Sequence, residues 1–332
     1  TPVIFEKRSH MGEPLGYASI WTRVHSRPIV DPVYYLKRKY GVSLKPLSRL
    51  AEIVMKSQNS CTTVKGNLGY IFNRGTSKIS IENQIGSMIS TPVIFDSHIR
   101  LEDIKNDFEY IVVATGSNAI TKQLDAWTDT FISYARTATV LGNFKTDKSI
   151  LWMDTRYAKN AFCYLVPRSA KEASLVLIVN GITHNELDYY WKEFLSIEEI
   201  SDTIIETRDA EHFCGIVKPH RVGNVFFTGN AAGFTDNLIG VGGINAVESG
   251  VLAARAIVQN HDYDKLVNYI SKDIMKLHEL RKVMNTFDNK AQDRFLNFIG
   301  MPVIKQTIYN NPFFKLSQVS FLAKLYSGKS PV

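Results

Sequence analysis

The stretch Val225–Ala254, VFFTGNAAGFTDNLIGVGGINAVESGVLAA, decides how this chain is read. It opens on a short apolar strand, Val225 to Thr228, and enters a Gly/Ala turn at Gly229. A loop ending in Gly240-Val241-Gly242-Gly243 follows, and an amphipathic helix begins there. A strand that feeds a glycine-rich loop at a helix N-terminus lets backbone N–H groups and the helix dipole meet an anionic or electron-rich ligand closely. The spacing Gly229, Gly233, Gly240, Gly242, Ala246, Ser249, Gly250 is the pattern to match against the rest of the chain.

Working outward, Asp31-Pro32 is a helix start, an N-cap with Pro at the first helical position, and Gly41 suits the end of that helix. Tyr110-Ile111-Val112-Val113-Ala114 is a continuous apolar run ending at Thr115-Gly116-Ser117, as in a central parallel strand. From about 121 to 215 the texture is β-rich, as in Ser174 to Val179, with one helix near 185–196. Beyond 259 the chain reads as helical, with Ile274, Leu277, Leu280 and Val283 recurring among Lys276, Arg281 and Lys282. The pattern is an α/β unit over 1–120 and 216–258, a β-rich insertion over 121–215 and a helical region over 259–332.

With 332 residues and 45% hydrophobic content the chain can bury a substantial core. A formal net charge of +7 favours anionic partners, among them phosphates and acidic lipid headgroups. Cys61, Cys163 and Cys214 lie far apart with no CxxC, so they read as reduced intracellular thiols rather than a zinc site or disulfide framework. No apolar run approaches the roughly 20 residues needed to span a bilayer, and no signal peptide is visible. No Ser/His/Asp or metal-ligand spacing stands out. His220, between Pro219 and Arg221, reads as a surface-loop histidine or one that meets an acidic ligand group; Arg168 and Lys171 read as a solvated turn. The chain runs from Thr1-Pro2 straight into the strand Val3-Ile4-Phe5-Glu6, so an N-terminal truncation is expected, with the usual partner of that strand missing or supplied elsewhere.

A carboxylate at the end of the second strand of a doubly wound nucleotide-binding domain accepts hydrogen bonds from ribose hydroxyls, and Glu6 stands at such a position. Glu6-Lys7-Arg8, Gly12 and Pro14 resemble the EKRxxxGxP segment of the geranylgeranyl reductase family of flavoproteins, which has the p-hydroxybenzoate hydroxylase-like fold. Gly69-Tyr70-Ile71 with Arg74 resembles the family's GYxxxR segment, and Ala114-Thr115-Gly116-Ser117 its ADG/ATG segment. Phe162 to Pro167 (FCYLVP) resembles its YGWxFP strand, and the Gly229–Gly250 spacing its flavin loop. These segments run in the family's order over about residues 1–255.

The resemblance implies an α/β fold: a Rossmann-like FAD-binding domain, incomplete at its N-terminus, with an inserted β-rich substrate domain and a helical C-terminal tail. It implies FAD as cofactor, held by Glu6, Lys7, Arg8, Ala114, Thr115, Gly116, Gly229, Asn230, Gly233, Gly240, Val241, Gly242 and Gly243. Gly240 to Gly243 would lie under the pyrimidine edge of the flavin ring, where a helix N-terminus stabilises negative charge and a Cβ would hold the backbone away. Phe162, Tyr164 and Pro167 would line the substrate cavity. The chain departs from the family at Asn230 (Asp), at Asn237 (Pro), at Gly243 (Ile), at Gly16-Tyr17 (Arg-Cys) and at Tyr164 (Trp), and it lacks a GxGxxG turn.

By that resemblance the activity is hydride transfer from reduced flavin to a C=C bond of an isoprenoid or other apolar, lipid-like substrate. A flavin-dependent aromatic monooxygenase of the same fold and a non-catalytic member of the family remain as alternatives. No catalytic residue and no metal ligand is singled out. The expected reductant is NAD(P)H or a small electron carrier, the expected location cytoplasmic with contact at an anionic membrane surface, and no nucleic acid is expected as partner.

Overall fold

The structure, a computed structural model, describes residues 2–12, 16–311 and 313–316. Pro14 of the sequence signature and the end of the helical region lie outside the described residues.

Three sheets carry the strands. β1 (Ile4–Phe5) pairs in parallel with β5 (Val93–Ile94), which supplies the opening strand with a neighbour from within the chain. The ring edge of Phe5 lies on Phe108, with centroids 6.3 Å apart, and so brings β1 beside the chain entering β6 (Ile111–Val113). β6 pairs in parallel with β13 (Val225–Phe227), which pairs antiparallel with β12 (Arg221–Val222). All three residues of β13 are buried, as the unbroken apolar run demands of a strand covered on both faces.

The large sheet has eight strands in the order β11-β7-β10-β9-β8-β3-β4-β2. They are β2 (Tyr17–Thr22), β3 (Ser48–Lys56), β4 (Cys61–Arg74), β7 (Trp127–Leu141), β8 (Lys148–Trp152), β9 (Cys163–Pro167), β10 (Glu172–Asn180) and β11 (Thr203–Val217). Neighbours are antiparallel except β3 and β8. Here the structure differs from the sequence-based division: β2, β3 and β4, drawn from 17–74, join this sheet rather than the cofactor-binding unit. Their apolar positions Ala18, Leu50, Val64 and Ile71 belong to one cluster with Val166 of β9. Burying that shared face holds the segment to the sheet.

Side-chain alternation sorts the two faces. Cys163 and Leu165 of β9 face a core closed by α5 (Thr155–Ala158) and α6 (Leu187–Ile197), through Tyr157, Trp191 and Phe194. Tyr164 and Val166 belong to the opposite cluster, which takes Leu296 and Ile299 from α9 (Asn289–Gly300) and Ile308 from α10 (Pro302–Asn310).

α1 (Pro32–Tyr40) begins where the sequence places it: Asp31 accepts from the Tyr34 N–H and Gly41 closes it at φ 72°. The short helices α2 (Ile81–Gly86), α3 (Leu101–Ile104) and α4 (Ala119–Gln123) lie between strands. α7 (Gly243–Gln259) and α8 (Tyr263–Met284) cover the three-stranded sheet, where Leu252, Ala253, Val267, Ile270 and Ile274 pack with Phe226 and Phe227.

Candidate cofactor site

β13 ends at Phe227, and Thr228 bonds back to the neighbouring strand, its N–H and Oγ1 donating to the Val113 carbonyl at 3.0 and 3.1 Å. Gly229 follows at φ +56°, a conformation open to glycine, and its N–H donates to Ser249 Oγ at 2.9 Å. A Cβ on Gly229 would stand 3.3 Å from Cβ of Ala246 in the first turn of α7. The Gly229/Ala246/Ser249 spacing is therefore a helix-on-turn contact that needs small side chains and one hydroxyl. Asn230 comes next, and its Nδ2 donates to the Gly116 carbonyl at 2.9 Å. That bond joins the two expected segments, Ala114–Gly116 and Gly229–Asn230, across the sheet end. Asn230 Oδ1 is buried and has no hydrogen-bond partner. A buried amide oxygen left bare costs about 1–3 kcal/mol, so it marks a place for a donor.

The loop between Gly233 and α7 is built around a residue the sequence reading missed. Asp236 is fully buried, and its carboxylate accepts from the N–H groups of Leu238 and Ile239 at 2.8 Å each and of Val241 at 2.5 Å. Nε2 of His25 lies 3.1 Å from the same carboxylate. Burial opposes ionisation of Asp236, but His25 and the loop amides outweigh it and hold the carboxyl below its usual range. Burial alone would push His25 down; the Asp236 charge more than reverses this and raises it. The loop thus fills its anion-binding nest with its own side chain. The signal for this was one acidic residue among glycines and apolar residues; nothing local pointed to His25.

The glycines answer to protein neighbours. Gly240 sits at φ +76°, and a Cβ there would lie 3.2 Å from His212 Nε2. A Cβ on Gly242 would reach 2.7 Å from Thr235 Oγ1, and one on Gly243 would reach 2.5 Å from Trp21 Cζ2. A Cβ on Gly233, at φ +68°, would lie 2.6 Å from the Gly215 carbonyl oxygen. Steric contacts inside the protein by themselves exclude a side chain at Gly242 and Gly243. Gly243 makes room for Trp21, whose indole packs on Phe72 with centroids 4.7 Å apart.

What the loop leaves open is the start of α7. No side chain caps it, and its first turn carries no acidic residue. An electron-rich group placed there gains about 0.3–1 kcal/mol from the dipole, and up to about 2 when partly buried. His212 and Cys214 of β11 stand beside the loop, His212 Nε2 3.4 Å from Cys214 Sγ. Burial pushes His212 down and the Cys214 thiol up, so both are held neutral.

The other expected residues are placed as follows. Glu6 turns its carboxylate onto the Arg8 N–H at 2.9 Å, and Lys7 and Arg8 are exposed, Arg8 donating to the Gly12 carbonyl. Ala114, Thr115 and Gly116 are exposed. Phe162 and Tyr164 lie on the sheet face under α9 and α10, and Pro167 ends β9. Burial, with Tyr17 nearby, pushes the Tyr164 phenol up, and Arg74 offsets only part of this. Tyr17 and Arg74, from separate sequence segments, therefore meet at Tyr164. His220 is buried rather than a surface-loop residue; its ring stacks on Phe234 at 4.8 Å.

This arrangement of sheets, turn and helix is a fold shared with solved flavoprotein structures. One solved structure with it is a geranylgeranyl bacteriochlorophyll reductase-like protein from Thermoplasma acidophilum, at TM-score 0.68 and 13% identity over 98% of this chain and 88% of that one. A flavoprotein/dehydrogenase from Cytophaga hutchinsonii aligns at TM-score 0.63 and 12% identity, over 98% and 92% of the two chains. Aklavinone-11 hydroxylase, solved with FAD and aklavinone, aligns at TM-score 0.58 and 13% identity over 90% of this chain and 65% of that one. The sequence matches no protein-family model and no curated protein.

Proposed function

We propose that this chain is an FAD-dependent oxidoreductase acting on an apolar substrate, with the flavin ring against the start of α7. The observation that carries the reading is the buried, unpartnered Oδ1 of Asn230. It lies one residue from Gly229, which packs on the first turn of the uncapped α7. The hydroxyls of a ribityl chain are donors of the kind Oδ1 lacks, and the helix start suits the electron-rich edge of a flavin. The residues present therefore fit the cofactor, and the shared fold supports the same assignment.

In this reading Asn230 and the Ala114–Gly116 turn hold the ribityl and phosphate portion, and Gly240 to Gly243 present backbone to the ring. Glu6 receives the ribose, with Lys7 and Arg8 near the phosphates. The β1, β6, β13 and α7 segments bind cofactor, and the eight-stranded sheet lines the substrate through Phe162, Tyr164 and Pro167. When bound, FAD supplies hydride transfer to a C=C bond of an isoprenoid or similar chain. The protein's part is to orient an apolar chain and to exclude water. Reducing equivalents come from NAD(P)H or a small carrier, and the net charge of +7 supports approach to an anionic membrane surface. Among the described residues no helix is long and apolar enough to cross a membrane.

The test is a visible spectrum and flavin stoichiometry of the purified protein, followed by anaerobic reduction and titration with a geranylgeranyl-chain acceptor. Bound flavin reoxidised by the acceptor supports the proposal. A protein that neither carries nor takes up FAD overturns it, and reoxidation only by oxygen with hydroxylated product overturns the reductase assignment.

A further inference from the structure

The C-terminal helices α9 and α10 present two unlike sides. Inward, Gln292, Leu296 and Ile299 of α9 and Ile308 of α10 are buried, the apolar three in the cluster against which Phe162 and Tyr164 pack. Outward, α9 shows Lys290, Arg294 and Asn297, spaced four and three residues apart and so on one stripe. The stripe ends at the corner between the two helices, where Met301, Pro302 and Val303 are all exposed. Val303 is 74% exposed, and Phe313, past the far end of α10, is 85% exposed, so most of each apolar surface faces outward. Between them the exposed residues of α10, Gln306, Thr307 and Asn310, are uncharged.

Polar contacts fasten this unit to the body. Arg27, in the loop after β2, donates to the carbonyls of Ile308, Tyr309 and Phe314 at 2.6, 2.7 and 3.1 Å, which satisfies the end of α10. Asp293 accepts from Ser57 Oγ at 2.6 Å and from the Asn59 N–H at 3.0 Å, between β3 and β4. With that carboxylate engaged, the charge left on the outer side is positive. From Arg294 to Val332 the sequence carries Arg294, Lys305, Lys315, Lys324 and Lys329 and no Asp or Glu, so most of the net charge of +7 lies in this part of the chain. Lys324 and Lys329 lie outside the described residues. Cations beside protruding apolar side chains, with no carboxylate to repel phosphate, suit a bilayer interface, where one group meets headgroups and the other acyl chains. A nucleic acid would use the charge but leave the apolar corner without a role.

We propose that the α9–α10 corner and the turn at Phe313 are the surface by which this protein sits on an anionic phospholipid bilayer. Met301, Val303 and Phe313 enter the acyl boundary, Lys290 and Arg294 stay among the headgroup phosphates, and α10 lies along the interface. This names the surface for the membrane contact proposed above and rests on that reading, though not on the flavin. The inner side of the same unit covers Phe162 and Tyr164, so docking sets the candidate substrate face one helical layer from the bilayer.

The experiment sediments the purified protein with vesicles of phosphatidylglycerol and phosphatidylcholine in equal parts, and with phosphatidylcholine alone. Binding to the mixed vesicles that weakens with salt is expected. Each cation at such a surface contributes about fivefold, so Lys290→Gln with Arg294→Gln weakens binding by about 25-fold. Val303→Ser with Phe313→Ser weakens it by about tenfold or more, at high salt as well. All four positions are exposed, so melting temperatures stay near wild type. Lys159→Gln with Lys192→Gln, the same charge change on the α5–α6 side of the sheet, leaves binding within about threefold. No binding to the mixed vesicles, an equal loss from the Lys159 and Lys192 pair, or no effect of the apolar pair overturns the proposal. So does a dimer in light scattering that the apolar pair dissociates, or binding to a DNA duplex as tight as to the vesicles. Flavin content is read separately from the visible spectrum, so a flavin-free protein that binds the vesicles refutes the cofactor assignment and upholds the surface.

Discussion

Asp236→Asn is the most direct probe of the loop that shapes the α7 site. The native carboxylate accepts three backbone N–H groups and faces His25 Nε2 at 3.1 Å, all within the protein interior. An Asn in the same rotamer keeps one oxygen for Leu238 and Ile239 but turns an NH₂ toward the Val241 N–H and toward His25. Removing one partner of a buried pair costs about 3–5 kcal/mol, and that loss is expected in urea unfolding of the variant. The pH dependence carries the sharper signature. His25 has its pKa raised in the folded state, so its stabilising share is full below the ordinary value of 6.5 and is lost as pH rises through the folded value.

Asp236, whose pKa is lowered, contributes stability above its ordinary value and loses it only as pH falls through the depressed one. Without the carboxylate, burial alone acts on His25 and lowers it, so the variant weakens as pH falls below about 6.5. His212, already lowered by burial and raised in part by Asp236, moves the same way. The stability gap between wild type and variant is therefore wider near pH 5.5 than near pH 8.5, with a slope of up to about 1.4 kcal/mol per pH unit for each proton. Cys214 and Arg281 are the other titratable groups near Asp236; burial raises the thiol and lowers Arg281 to about 10, so neither titrates in this window. A gap under about 1 kcal/mol, or one that widens as pH rises, refutes the reasoning.

Two further substitutions test the packing. Gly243→Ala places a Cβ 2.5 Å from Trp21 Cζ2 in a buried ring contact, and a loss of about 1–3 kcal/mol in thermal or urea unfolding is expected. The double variant with Trp21→Phe should lose measurably less than the sum of the two single losses. Asn230→Asp replaces the donor to the Gly116 carbonyl by an acceptor, and a loss of about 1–3 kcal/mol is expected in the flavin-free protein. An unchanged melting temperature would show that the Asn230–Gly116 bond does not hold the sheet end.

Local chemistry was legible in the chain. Asp31-Pro32 and Gly41 bracket α1 because capping and a left-handed end are decided within a few residues. The apolar run at β13 names its own burial, whereas β6 lies at the end of its sheet with Val112 exposed rather than in the central position its unbroken apolar run suggests; the Gly229, Ala246 and Ser249 spacing follows from one turn packing on one helix. The strands at 17–74 read as mixed elements, because which sheet a strand joins depends on the face available elsewhere, here the one shared with Val166. Trp21 and His25 carried no signal at all. Their partners, Gly243 and Asp236, lie more than two hundred residues away.

The sequence by itself determined that a strand, a glycine loop and a helix start would form at 225–254, since each rests on short-range backbone preference. The tertiary structure decided what those glycines make room for, namely Trp21, Thr235 and His212. It also decided that Asp236 satisfies loop amides from within, while the helix start stays uncapped and Asn230 Oδ1 and Asn237 Oδ1 are buried without a partner. Long-range packing and buried charge pairing set those contacts, and neither is encoded in the spacing of neighbouring residues.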